Sequence, residues 1–218
     1  MRVFTSADIG ARDEQQDAYA IAPEAGGERE PDGESIATVV LADGMGGHAG
    51  GAEASRAAVH AFIEELEAPV TRDTITSAIG WACREVAANS VGATTLVMAH
   101  VAPPAAPSSP RAGIIAWIGD SRAYLVREGE AELLTEDHAA ADGGLYRWLP
   151  DEGLADFVEL TLNAGDRLVL CSDGVSDVLE EHEFAQCETS DGDPAEWLVA
   201  QALEAGASDN CTVIVCVV

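Results

Sequence analysis

Four aspartates carry the strongest chemical signal in this sequence. Asp43, Asp120, Asp173 and Asp209 each lie beside an apolar run, with Gly, Ser or Asn as an immediate neighbour. A strand end fixes such a side chain at the rim of a sheet, where loops leave it open to a ligand. Carboxylates gathered on one rim repel one another unless protons or cations intervene, and hard oxygen donors suit Mg²⁺ or Mn²⁺. A single Asp-Gly step is an ordinary hairpin turn. Two of them, Asp43-Gly44 and Asp173-Gly174, each following a fully apolar strand, point instead to a multi-metal centre.

The elements that must position these residues come in blocks. After a polar opening, residues 35–42 (SIATVVLA) read as a buried strand ending at Asp43-Gly44. Residues 51–66 lead from alanines 52, 54, 57 and 58 to Val59, Phe62, Ile63 and Leu66 at helical spacing. A second helix is predicted from Thr71 or Asp73, either of which can cap it, to about Asn89. Strands follow at 93–101, 113–118 and 122–127, with 102–110 (APPAAPSSP) as an exposed loop and Gly119-Asp120-Ser121 between the last two strands. Residues 136–156 are polar and take no assignment. Paired strands at 157–162 and 167–171 precede a helix at 194–204 and a final strand at 212–218, so apolar that it must be central with both faces covered. With no regular βαβ rhythm, the sheet is expected to be largely antiparallel, with helices stacked outside.

Composition narrows the function further. The 218 residues, 47% of them hydrophobic, suffice for one core without disulfides but not for two, so 1–218 is read as a single domain. Eleven basic residues stand against 39 acidic ones for a formal charge of −28; all eleven are arginines, scattered singly from Arg2 to Arg167. No basic stripe is present to neutralise a phosphate backbone, which excludes a nucleic-acid or anionic-membrane binder. Such acidity favours cationic partners, metal ions included. The five cysteines include no C-x-x-C pair and read as buried thiols in a reducing compartment. With no signal-peptide pattern at the N-terminus and no apolar run reaching the roughly 20 residues of a membrane helix, a cytoplasmic protein is expected.

Seven blocks, covering nearly the whole chain in order, carry a family resemblance: 12–17 (RDEQQD), 43–51 (DGMGGHAGG), 93–97 (ATTLV), 118–124 (IGDSRAY), 134–138 (LTEDH), 165–177 (GDRLVLCSDGVSD) and 209–213 (DNCTV). Through them the sequence resembles the bacterial metal-dependent serine/threonine protein phosphatases, the PP2C-like or PPM family. The resemblance implies an α+β fold: a four-layer α-β-β-α sandwich, two antiparallel sheets flanked by helix pairs, with two or three Mn²⁺ or Mg²⁺ ions at one edge. It further implies hydrolysis of phosphoserine and phosphothreonine in proteins by a metal-bridging water, in line and without a phosphoenzyme. The implied partners are phosphorylated proteins and the serine/threonine kinase whose action is reversed, with the chain acting as a monomer.

Residue by residue, the resemblance makes Asp43 the bridge between two core metals, with the Gly44 carbonyl on one of them and Asp173 and Asp209 on the other. Asp17 acts near the second metal through water, and Asp120 shares a third metal with Asp173. Arg12 holds the substrate phosphate, a role that suits a guanidinium fork. His48 is either the acid that protonates the leaving alkoxide or a structural loop histidine; His138 reads as structural. The chain departs from the family pattern at Ala93, where glycine is usual, and at Gln15, where asparagine is usual. It also departs in the short segment 138–165, which replaces a longer flap and leaves a more open site or an altered substrate selection. Two other classes compete: a non-catalytic module that binds metal or a phosphoprotein, and a metal-dependent hydrolase of small phosphates or nucleotides.

Overall fold

The computed structural model describes residues 1–23, 37–45, 50–90, 92–106, 108–151 and 154–218. Side-chain alternation builds its layers. In β3 (Ala37–Met45), β5 (Leu96–Val101) and β6 (Arg111–Ile118), one set of side chains, among them Val40, Met98 and Ala116, faces helices. The alternate set, including Leu41, Val97 and Ile115, faces a second sheet. With both faces covered, these strands are continuous apolar runs.

The first sheet adds β2 (Asp17–Pro23) and β9 (Asp156–Leu162) in the order β2-β3-β5-β6-β9, with the short β4 (Ala93–Thr94) beside β3. The second comprises β1 (Arg2–Asp8), β7 (Arg122–Arg127), β8 (Glu130–Leu133), β10 (Arg167–Cys171) and β11 (Cys211–Val217), in the order β1-β11-β10-β7-β8. Every described pairing in both sheets is antiparallel. The final strand lies inside its sheet, between β1 and β10, as its apolar sequence requires.

Helices cover both outer faces. α1 (Gly51–Glu65) and α2 (Arg72–Asn89) bury Ala54, Ala58, Phe62, Ile75, Ile79 and Val86 against the first sheet. Of the two candidate caps it is Thr71 that starts α2, through a reciprocal box with Thr74. On the other face lie α5 (Pro194–Glu204), capped by Asp193, and the short α3 (Asp173–Ser176) and α4 (Glu181–Ala185). Their Leu198, Val199 and Phe184 pack on Tyr124, Val169 and Val215, with Phe184 stacked on Tyr124 at 4.1 Å. This is the expected four-layer α+β sandwich.

Three strands escape sequence reading. β1 and β8 are edge strands without an apolar run, and β2, whose run 18–22 is apolar, lies at a sheet edge with Tyr19 and Ile21 exposed. The single strand expected at 93–101 is interrupted at Thr95, between β4 and β5. Among the described residues no helix is long and apolar enough to cross a membrane.

Candidate metal centre

The ends of strands from both sheets meet at one rim of the sandwich. Asp17 and Asp43 stand directly opposite each other in the β2–β3 ladder. Asp173 opens α3 just after β10, Asp209 precedes β11, and Asp120 lies in the connection by which the chain passes from β6 to β7, hence from one sheet to the other. Five carboxylates separated by up to 192 positions thus converge, and their electrostatics record it. Burial is the largest influence on Asp17, Asp43, Asp120 and Asp173, and it raises all four. Asp17 is pushed up to about 7, against the opposing hydrogen bonds from Thr212 and Ser172 and with the charges of Asp173 and Asp209 adding to the rise. Asp120 is pushed up to about 6 by burial and by Asp173. Asp43 lies well above the ordinary carboxylate range, through burial and the charges of Asp17, Asp173 and Asp120, and it faces Asp173 closely enough to share a proton.

The side chains that orient this cluster come from the same strand ends. Ser172 and Thr212 both donate to Asp17 Oδ2, at 2.8 and 2.6 Å, and the Thr212 N–H donates to Ser172 Oγ at 3.0 Å. Asp17 Oδ1 is left buried with no hydrogen-bond partner among the described residues. Thr95, the residue that interrupts the strand, accepts the Asp43 N–H at 2.9 Å and meets Ser121 Oγ at 2.7 Å, which ties β3 to the Asp120 turn. The Asn210 side chain accepts the Gln16 N–H and donates to the carbonyls of Ile9 and Glu14, pinning the N-terminal arm beside the cluster. Gln15, one of the departures from the family pattern, accepts the Asp17 N–H at 3.0 Å and donates to the Asp8 carbonyl at 3.2 Å. Ser172, Thr212 and Thr95 lie within the quoted sequence blocks, but only the strand pairing assigns them a carboxylate or an amide.

Gly44 sits where β3 crosses the Gln16 backbone and the start of α1. A Cβ there would stand 2.2 Å from the Gly51 carbonyl oxygen and 2.6 Å from that of Gln16, so no side chain fits. Arg12 reaches the rim, half exposed, with its guanidinium against Asp209 Oδ2. His48 lies outside the described residues. The remaining predicted site residues, Asp17, Asp43, Gly44, Asp120, Asp173 and Asp209, are brought to this one rim.

Among the described residues no three carboxylates close on a single point; Asp209 is engaged by Arg12 and Asp17 by two hydroxyls. The donor set nevertheless fits a hard divalent cation. All the side-chain donors are oxygens, they repel one another, and a buried carboxylate oxygen without a partner is a costly state that a cation relieves.

A sandwich of this topology with an aspartate-lined rim defines a class. A family model described as protein phosphatase 2C matches residues 9–200, and the chain belongs to that family; it is a protein phosphatase by class. Its relatives narrow the comparison. The chain is 30% identical over 214 residues to protein phosphatase PhpP of Streptococcus pneumoniae, across 80% of this chain and 83% of that one. It is 32% identical over 215 residues to the serine/threonine protein phosphatase PstP of Mycobacterium tuberculosis, across 81% of this chain and 39% of that one. Among solved structures, the S. agalactiae serine/threonine phosphatase shares the fold with a TM-score of 0.83 at 24% identity, covering 98% of each chain. The catalytic domain of PstP, in complex with two manganese ions, superposes with a TM-score of 0.77 at 26% identity, over 98% of this chain and 96% of that one.

Proposed function

We propose that this chain, as one catalytic domain spanning 1–218, hydrolyses phosphoserine and phosphothreonine in proteins with divalent metal ions held at the aspartate rim. The observation that carries this reading is the cluster itself: four raised carboxylates and one orphaned carboxylate oxygen, on strand ends of both sheets, in a protein phosphatase 2C chain. Asp43, Asp173, Asp209 and the Gly44 carbonyl would hold two core Mn²⁺ or Mg²⁺ ions, with Asp17 beside them, and Asp120 would share a third with Asp173. Bound there, the ions supply an activated water for in-line attack on phosphorus and positive charge for the phosphate. The chain's own residues do the rest. Arg12, paired with Asp209 and half exposed, would turn its fork onto the phosphate oxygens once Asp209 served a metal. His48 is the candidate proton donor to the leaving alkoxide. The substrates are phosphoproteins made by a serine/threonine kinase of the same cell.

The test is hydrolysis of p-nitrophenyl phosphate and of a phosphothreonine peptide by chelator-stripped protein, with and without millimolar Mn²⁺ or Mg²⁺. Metal-dependent turnover of both is expected. Asp173→Asn, which removes a charge but almost no volume, is expected to lower turnover by a factor on the order of 10² or more while the fold persists. Retained activity in that variant with added Mn²⁺ overturns the metal assignment. Turnover confined to nucleotides would favour a small-phosphate hydrolase.

A further inference from the structure

Beside the Asp120 turn, and outside the carboxylate cluster, His138 is buried at 2% relative exposure. It clamps one residue from both sides. Its Nδ1 accepts the Gly119 N–H at 3.1 Å, and its own N–H donates to the Gly119 carbonyl at 3.0 Å. With Nδ1 accepting, the ring proton is placed on Nε2, which faces Asp156 Oδ2 at 3.0 Å; Arg147 Nη1, itself only a donor, lies 3.2 Å from the same nitrogen and shares Asp156 with it. The ring stacks on Trp117, whose indole N–H is fixed to the Glu136 carbonyl. Gly119 itself has no freedom to carry a side chain: its φ is +108°, and a Cβ would meet Thr95 at 2.6 Å. The next residue is Asp120.

The other half of the clamp belongs to Tyr146, Arg147 and Asp156. The Tyr146 N–H donates to the His138 carbonyl at 2.8 Å, and Arg147 Nη1 lies 3.3 Å from Asp156 Oδ2. Asp137, beside His138, forms a two-pronged pair with Arg122 on the far side of the Asp120 turn. The turn that presents Asp120 is therefore gripped by residues 137 and 138, and His138 in turn by Tyr146, Arg147 and Asp156.

We propose that His138 is a positioning residue for Asp120, coupling the 138–156 segment to the metal that Asp120 shares with Asp173. The inference rests on the reading of Asp120 as a metal ligand. It acts through the Gly119 peptide and needs no contact between His138 and metal or substrate.

The test counts Mn²⁺ bound per chain, and the affinity of each ion, by calorimetry and electron paramagnetic resonance on metal-stripped full-length variants. Asp120→Asn is expected to lose one ion relative to the unsubstituted chain. His138→Leu is expected to weaken that same ion by about tenfold or more, the usual cost of losing an orienting partner, and to leave the others unchanged. His138→Asn, whose amide oxygen can accept the Gly119 N–H in place of Nδ1, restores most of the affinity, which a merely space-filling role would not do. Asp156→Asn, at a half-exposed carboxylate outside the core, produces a smaller loss at the same ion. An ion bound as tightly in His138→Leu as in the unsubstituted chain, while Asp120→Asn loses it, overturns the proposal alone. If Asp120→Asn keeps every ion, the Asp120 assignment and the proposal fall together. Should His138→Leu fail to fold, Asp156→Asn decides, and an unchanged ion in that variant overturns the coupling.

Discussion

The two oxygens of the Asp17 carboxylate have different surroundings. Oδ2 accepts from Ser172 and Thr212, while Oδ1 is buried without a partner among the described residues. Two donated hydrogen bonds fix the carboxylate plane, so Oδ1 is aimed rather than merely present. The double variant Ser172→Ala with Thr212→Val is accordingly expected to weaken Mn²⁺ activation by about tenfold or more. The concentration of Mn²⁺ giving half-maximal turnover measures it, and the KM for a phosphopeptide at saturating Mn²⁺ should stay unchanged. Asp17 came only from the family resemblance, whereas Asp43, Asp120, Asp173 and Asp209 were legible in the sequence because each stands beside an apolar run next to Gly, Ser or Asn. Ser172, Thr212 and Thr95 were not, since a hydroxyl beside a strand has many uses and only pairing selects one.

At the scale of elements, the strand ends divide the labour. Thr95, Ser121, Ser172 and Thr212 lie at the rim end, whereas Thr71, His100 and Ala112 line a cavity at the opposite end, where α2 begins. The Thr71–Thr74 box satisfies the first amides of α2 there, far from the carboxylates. Thr71→Ala is expected to cost about 1 kcal/mol. In a chain of this size that lowers the melting temperature by roughly 2–4 °C. Thermal denaturation measures the loss, and turnover at 25 °C should be unaffected. Buried strands and amphipathic helices were readable from pattern alone, but the edge strands β1, β2 and β8 were not: β1 and β8 lack an apolar run, and the short run of β2 leaves Tyr19 and Ile21 exposed. The edge strand β2 nonetheless brings Asp17 to Asp43.

For the whole molecule, a charge of −28 makes the aspartate rim a point of stored repulsion. Asp17 is held up to about 7 and Asp120 to about 6, against an unfolded carboxyl near about 3.9. Between those values the folded chain binds protons that the unfolded chain has released. The contribution of these two groups to the stability of the metal-stripped protein is therefore fully present below about pH 4 and is lost as the pH rises through about 6 to 7. The expected result is a lower melting temperature at pH 7.5 than at pH 5.5 in chelator, with millimolar Mn²⁺ erasing the difference; a pH-independent melting temperature in chelator would contradict it. By itself the sequence determined the charge, the apolar runs that become interior strands, the helices and the blocks that mark the family, because these depend on local composition and period. Only the tertiary structure decided which strand ends meet and which hydroxyl serves which carboxylate. It also decided that Arg12 rests on Asp209 and that His138 grips the turn before Asp120. Those contacts join residues far apart in the chain, and no local pattern encodes a partner whose identity is set by sheet order and register.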